Sequence, residues 1–252
     1  MIIPKKNIAQ HFLVDNNIAN KIVNCLSFNG YSNIVEVGPG MGILTNYLVY
    51  KSENLFLIEI DDRLIDYLKC IFPFLGLKII KENFLNWNPT QFSLDNFALI
   101  GNFPYNISSQ ILFRLLLIRN NIPECIGMFQ KEVADRIASS HGNKKYGMLS
   151  VLTQAFYTVK YLFTVNENVF NPKPNIKSAV VRFIRKNEIL NFNYNIFFNF
   201  VKLSFITRRK TIRNSIKKLS LPDIVYQSSL LDRRVEHLSV EEFINICKLI
   251  ST

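Results

Sequence analysis

The chain has 252 residues, 48% of them hydrophobic, a formal net charge of +11 and four cysteines. That length holds one large domain or a domain with a small appendage, and the charge favours a polyanionic partner. No apolar run reaches the length of a membrane span, and the opening Met1-Ile-Ile-Pro-Lys-Lys does not read as a signal peptide. Cys25, Cys70, Cys125 and Cys247 lie far apart with no CxxC, and the histidines form no ligand cluster, which points to a reduced cytoplasmic protein without a structural metal.

In chain order, residues 15–28 set Ile18, Ile22, Val23 and Leu26 at helical spacing behind Asp15 as N-cap. Residues 33–37 read as a strand, followed by Gly38-Pro-Gly-Met-Gly42 and a helical pattern over 43–50. A continuous apolar strand over 55–60 precedes a helix over 61–70, and 78–81 is a third strand. The fourth, 97–101, runs into Asn102-Phe103-Pro104-Tyr105, after which a helix over 108–118 starts with Ser108 as cap. Pro104 has no N–H and fixes its own φ, so the strand stops there. A strand over 125–130, helices over 131–139 and 147–157, and strands near 161–165 and 179–184 follow.

Strands alternate with helices to about residue 185, the pattern of a doubly wound α/β sheet. Beyond it, residues 195–206, 208–219, 221–230 and 239–250 all read as helices. The expected organisation is a Rossmann-like domain over 1–186 and a small helical domain over 187–252.

Gly38 and Gly40 follow a strand and open a helix, where glycine permits a tight turn and close backbone approach to a ligand. Glu59 ends the next strand, about 20 residues on, where an acid accepts hydrogen bonds from both ribose hydroxyls. NAD and S-adenosylmethionine both fit such a site. The glycine spacing is G-x-G-x-G rather than the dinucleotide G-x-G-x-x-G, and the turn at Asn102 has no role in hydride transfer. An amide beside a stacking ring at a strand's C-terminal end instead suits a flat heterocycle with an exocyclic amine. The span 202–218 carries seven basic residues (Lys202, Arg208, Arg209, Lys210, Arg213, Lys217, Lys218) and no acid, so it is a candidate for phosphate contact. Lys144 and Lys145, in a loop, are a second candidate.

With these motifs the chain resembles the ribosomal RNA small-subunit adenine N6-dimethyltransferases, the KsgA family, over nearly its whole length. Gln10-His-Phe-Leu13 is similar to the family's N-terminal Gln-Asn-Phe-Leu. Val35-Glu-Val-Gly-Pro-Gly40 resembles its glycine motif, Ile58-Glu-Ile-Asp61 its acidic strand end, and Asn102-Phe-Pro-Tyr105 its Asn-Leu-Pro-Tyr turn. Gln130-Lys-Glu-Val, Tyr146-Gly-Met-Leu-Ser-Val, Phe170-Asn-Pro-Lys-Pro and Arg208-Arg-Lys-Thr-Ile-Arg-Asn follow in family order; the last three separate it from the related erythromycin-resistance methyltransferases. Three positions depart from the family: His11 stands for Asn, Asn83 for an Asp that reads the cofactor's adenine amine, and Phe103 for Leu.

The resemblance implies a Rossmann-like S-adenosylmethionine-dependent methyltransferase with an all-helical C-terminal domain. The implied substrate is two adjacent adenosines in a hairpin loop near the 3′ end of small-subunit ribosomal RNA, met on the 30S subunit or its precursor by a monomeric cytoplasmic enzyme with a part in subunit biogenesis. It implies that His11, Leu13, Gly38, Gly40, Glu59, Asn83 and Asn102 hold the cofactor. Asn102 and the Phe103 carbonyl would accept the hydrogens of the target amine, Pro104 would shape the turn, and Tyr105 and Phe170 would clamp the base. Lys144, Lys145, Arg208, Arg209, Lys210 and Arg213 would meet RNA. Competing readings are a large-subunit methyltransferase of the resistance type, an assembly factor that has lost catalysis, and an NAD oxidoreductase.

Overall fold

The computed structural model describes residues 10–187, 192–208, 210–217 and 222–251. Its strands are β1 (Phe12–Leu13), β2 (Asn33–Val37), β3 (Leu55–Glu59), β4 (Ile79–Lys81), β5 (Phe97–Asn102), β6 (Glu124–Gln130), β7 (Tyr157–Val165), β8 (Phe170–Asn171) and β9 (Ser178–Arg185). Its α-helices are α1 (Asn16–Val23), α2 (Thr45–Leu48), α3 (Asp62–Ile71), α4 (Ser108–Leu117), α5 (Lys131–Ile137), α6 (Met148–Phe156), α7 (Tyr194–Ile206), α8 (Ile212–Ser215), α9 (Asp223–Tyr226) and α10 (Val240–Ser251).

Seven strands form one sheet in the order β4-β3-β2-β5-β6-β9-β7. The pairs β3/β4, β2/β3, β2/β5 and β5/β6 are parallel, and β6/β9 is antiparallel. From β2 the chain winds outward to β3 and β4, then returns to add β5 and β6 on the other side. The crevice at the carboxyl ends of β2 and β5 is therefore a topological switch point, where open α/β sheets bind ligands. The central strands are buried on both faces, which is why 55–58 and 97–100 read as apolar runs, while β2 buries a carboxylic acid, Glu36, among Ile34, Val35 and Val37. Asp15 caps α1 by accepting from the Ile18 N–H at 2.9 Å, and Asp61 caps α3 by accepting from the Arg63 N–H at 3.2 Å.

The chain divides into two compact units, one running through Ala134 and taking in Lys160–Arg185, the other comprising Asp135–Val159 and the chain from Lys186 on. Residues 135–159 thus group with the C-terminal helices rather than with the sheet-bearing domain expected over 1–186. The reason is aromatic packing. Within the second unit α6 meets α7 and α10, with Phe156 against Phe197 at 5.9 Å and, just before α6, Tyr146 against Phe205 at 6.1 Å between ring centroids.

Several expected elements differ. Ser108 is the first residue of α4 and not its cap: its hydroxyl donates back to the carbonyls of Pro104 and Tyr105. The helix expected over 43–50 is α-helical only over Thr45–Leu48. The basic helix expected over 208–219 is reduced, among the described residues, to Ile212–Ser215, because Thr211 forms an antiparallel bridge to Arg234 and the Ile212 N–H donates to the Arg233 carbonyl. The expected helix over 221–230 is a single turn, Asp223–Tyr226, followed by a 3-10 turn at Ser229–Asp232. No helix among the described residues is long and apolar enough to cross a membrane.

Candidate active site

A cavity of about 380 Å³ opens at the carboxyl ends of the strands, within the range of small-molecule sites. Val37 ends β2 there and Gly38 follows it, Glu59 ends β3, Glu82 and Asn83 follow β4, and Asn102 ends β5. The same geometry that stops each strand delivers its last side chain to this edge.

Gly38 and Gly40 have φ of +67° and +58°, a left-handed backbone that favours glycine. A Cβ on Gly40 would also lie 3.0 Å from the ring of Phe12, which leans over the turn and lines the cavity. Glu59 is 5% exposed, and its Oε1 accepts from the N–H groups of Ile60 and Asp61 at 2.8 and 3.0 Å. Burial raises its carboxyl above the ordinary range, and the N–H groups of Asp61, Ile60 and Gly40 pull it partly back. The carboxylate is thus fixed in place with acceptor capacity toward the cavity, which suits a vicinal diol. Asn83 also lines the cavity; its Oδ1 accepts from the Leu85 N–H at 3.0 Å, which closes an Asx turn. Apolar walls come from Ile60, Leu64, Phe84 and Ile111.

At the end of β5, Asn102 Nδ2 donates to the backbone carbonyl of His11 at 3.0 Å. The amide's donor end is thereby engaged and its oxygen is left as an acceptor. The Phe103 ring is buried against Phe129, with centroids 5.2 Å apart, so Phe103 reaches the cavity through its backbone. Pro104 and Tyr105 complete the lip. The Tyr105 ring stacks on that of His11 at 5.5 Å and 26°, and His11 Nδ1 meets the Pro172 carbonyl at 2.8 Å.

Two expected site residues are elsewhere. Leu13 and Phe170 face each other across the β1/β8 pair and are 3% and 4% exposed in the core; neither lines the cavity. A two-residue strand has one inward face, and pairing with β1 turns Phe170 into it. Phe12, Ile60 and Phe84 line the cavity without having been singled out by sequence. Phe12 and Ile60 lie within motifs already quoted but were given no role there, whereas Phe84 looks like any strand-end apolar residue.

The basic candidates lie in the second unit, and several are already paired. Arg208 donates to Glu236 at 2.9 Å, and Lys145 to Asp135 at 2.8 Å. Arg213 holds Asp232 through two nitrogens at 2.6 and 3.1 Å and donates to the Tyr226 carbonyl at 2.7 Å. Lys144 and Lys210 are exposed, and no carboxylate pairs with them among the described residues. Arg209 lies outside the described residues.

The mostly parallel sheet with a glycine turn after β2, an acid at the end of β3 and an Asn-Phe-Pro-Tyr lip after β5 defines a Rossmann-like S-adenosylmethionine-dependent methyltransferase. The family described as ribosomal RNA adenine dimethylase matches residues 4–252, and this chain belongs to it. It is 53% identical over 242 residues to "Ribosomal RNA small subunit methyltransferase A" of Flavobacterium johnsoniae, covering 95% of this chain and 93% of that one. It is 47% identical to the protein of that name from Cytophaga hutchinsonii, covering 98% and 97%. Among solved structures it is similar to a dimethyladenosine transferase from Plasmodium falciparum, with a TM-score of 0.81, 24% identity and coverage of 94% and 96%. The 23S rRNA methyltransferase ErmE shares the fold at a TM-score of 0.73 and 22% identity, covering 96% of this chain and 100% of that one.

The residues present fit S-adenosylmethionine. An anchored carboxylate faces a cavity whose floor is a left-handed glycine turn, and apolar side chains wall the far end as a purine ring requires.

Proposed function

We propose that this chain transfers methyl groups from S-adenosylmethionine to N6 of two adjacent adenosines in the 3′-terminal hairpin loop of small-subunit ribosomal RNA, acting on the subunit or its precursor. The observation that carries the reading is the Asn102 amide. Its nitrogen is held by the His11 carbonyl, its oxygen is left as an acceptor, and it shares one cavity with Glu59 and Tyr105.

Bound in this cavity, S-adenosylmethionine supplies an electrophilic methyl group. Glu59 would accept the ribose hydroxyls, the backbone at Gly38 and Gly40 would take the tail of the molecule, and Asn83 would meet the adenine edge. Adenine N6 is a poor nucleophile because its lone pair is delocalised into the ring. Asn102 Oδ1 and the Phe103 carbonyl would accept its two hydrogens, favour a pyramidal nitrogen and stabilise the positive charge that develops there. A strong base is not required before attack, since the methylated ammonium is acidic and releases its proton readily to water. Tyr105 would stack on the base, a contact worth roughly 1–3 kcal/mol. Phe170 is given no part, because its ring is packed in the core.

The test is methyl transfer from labelled S-adenosylmethionine onto unmethylated small subunits, with the products identified as nucleosides. Dimethyladenosine at two neighbouring positions near the 3′ end is expected. Label confined to large-subunit RNA, or no transfer at all, overturns the reading.

A further inference from the structure

Tyr105 is held at its far end as well as its root. Its Oη lies 2.5 Å from the Oγ of Ser178, a residue with no exposed surface. Ser178 opens β9 and stands opposite Gln130 in the β6/β9 ladder, and the N–H just past β6, that of Lys131 at the start of α5, donates to the Lys177 carbonyl at 2.9 Å. The serine is therefore fixed by its pairing with the end of β6. On the ring's face, His11 supplies a second restraint, itself tied to Pro172.

We propose that Ser178 is a positioning residue for Tyr105, its hydroxyl fixing the ring against which the target base stacks; this rests on the methyl-transfer reading above. A tyrosine on a turn after a strand end is free to swing about χ1 unless its tip is anchored. A hydrogen bond to a buried, sheet-borne hydroxyl removes that freedom before substrate arrives, so the complex does not pay for it in lost order. Small displacements of a group that orients a reacting atom lower rates steeply.

The experiment uses the full chain and unmethylated small subunits in single-turnover methyl transfer, with Ser178→Ala, Tyr105→Phe and the double variant. Each single variant should lose about tenfold or more in rate. The double variant should lose no more than the worse single one, because both remove the same bond. S-adenosylhomocysteine affinity, read by calorimetry, should be unchanged throughout. Full activity in Ser178→Ala overturns the proposal. So do additive losses, or a loss that tracks a lower melting temperature and is absent from Tyr105→Phe. If the unsubstituted chain itself fails to methylate small subunits, the failure belongs to the functional reading and not to Ser178.

Discussion

The side-chain nitrogen of Asn102 and the backbone oxygen of His11 are joined at 3.0 Å, so the strap before α1 decides which way the amide at the end of β5 faces. A carboxamide can present a donor or an acceptor, and a main-chain carbonyl from another part of the chain selects the acceptor.

Asn102→Ala should therefore lower single-turnover methyl transfer by about 100-fold or more while leaving S-adenosylhomocysteine affinity nearly unchanged, since the lost interaction strengthens as charge develops on the amine. Near-normal turnover would remove Asn102 from the chemistry. A matching loss of cofactor affinity would make it a binding residue instead.

Glu59→Ala should weaken S-adenosylhomocysteine by about 1.5–3 kcal/mol, the worth of hydrogen bonds to an ionised carboxylate. Calorimetry reads this directly, with a melting curve to show that the variant folds. Unchanged affinity would mean that the ribose lies elsewhere.

Glu36 offers a prediction about pH. It is buried in mid-sheet in β2, and Thr45 Oγ1 donates to its Oε2 at 2.7 Å. Burial pushes its carboxyl from 4.5 up to about 8, the Thr45 bond working against this and the nearby Glu59 charge adding to it. The folded state thus binds this proton more tightly than the unfolded chain. The stabilisation is complete below the ordinary carboxylate value and is lost as pH rises through about 8. Glu36→Gln keeps a neutral acceptor for Thr45 and removes the titration. Its melting temperature should hold better than that of the unsubstituted protein as pH is raised from about 5 to about 9. Parallel melting curves across that range would show that Glu36 does not titrate in the folded state.

Much of this site is legible in sequence because each piece ends a strand. The glycine turn after Val37, Glu59 after an apolar run and Pro104 two residues past Asn102 all break a pattern at the place where α/β sheets bind ligands. Phe170 and Ser178 break no pattern. Which way Phe170 points is set by its register with Leu13, and what Ser178 touches is set by the β6/β9 ladder; both pairings join segments far apart in the chain. The basic run beginning at Lys202 shows the converse. Its charge is plain in sequence, but the acids that pair with Arg208 and Arg213, Glu236 and Asp232, come later and meet them only through folding.

Asn83 tests a departure from the family. Its Oδ1 already accepts the Leu85 N–H, a bond that an aspartate makes equally well. Asn83→Asp should leave the turn intact and hold S-adenosylhomocysteine as tightly or more tightly, because a charged acceptor strengthens a hydrogen bond from an adenine amine. If calorimetry finds binding weakened tenfold or more, Asn83 does not meet that amine.

The last prediction separates structure from RNA contact within the basic residues. Arg213 is saturated by Asp232 and the Tyr226 carbonyl, so Arg213→Ala should lower the melting temperature and leave the salt dependence of RNA binding unchanged in the protein that remains folded. Lys144 and Lys210 have no such partners among the described residues, and replacing both with Ala should have the opposite signature. Folding should be unaffected, subunit or RNA binding should weaken irrespective of sequence, and each lost phosphate contact should flatten the log–log salt slope by about 0.7–0.9. Cofactor affinity should stay constant in both variants, because none of these residues lines the cavity that holds Glu59. Binding measured at several salt concentrations decides the matter. A slope that falls in Arg213→Ala and holds in the double lysine variant would reverse the assignment and make the Arg213–Asp232 pair one that opens to admit a phosphate.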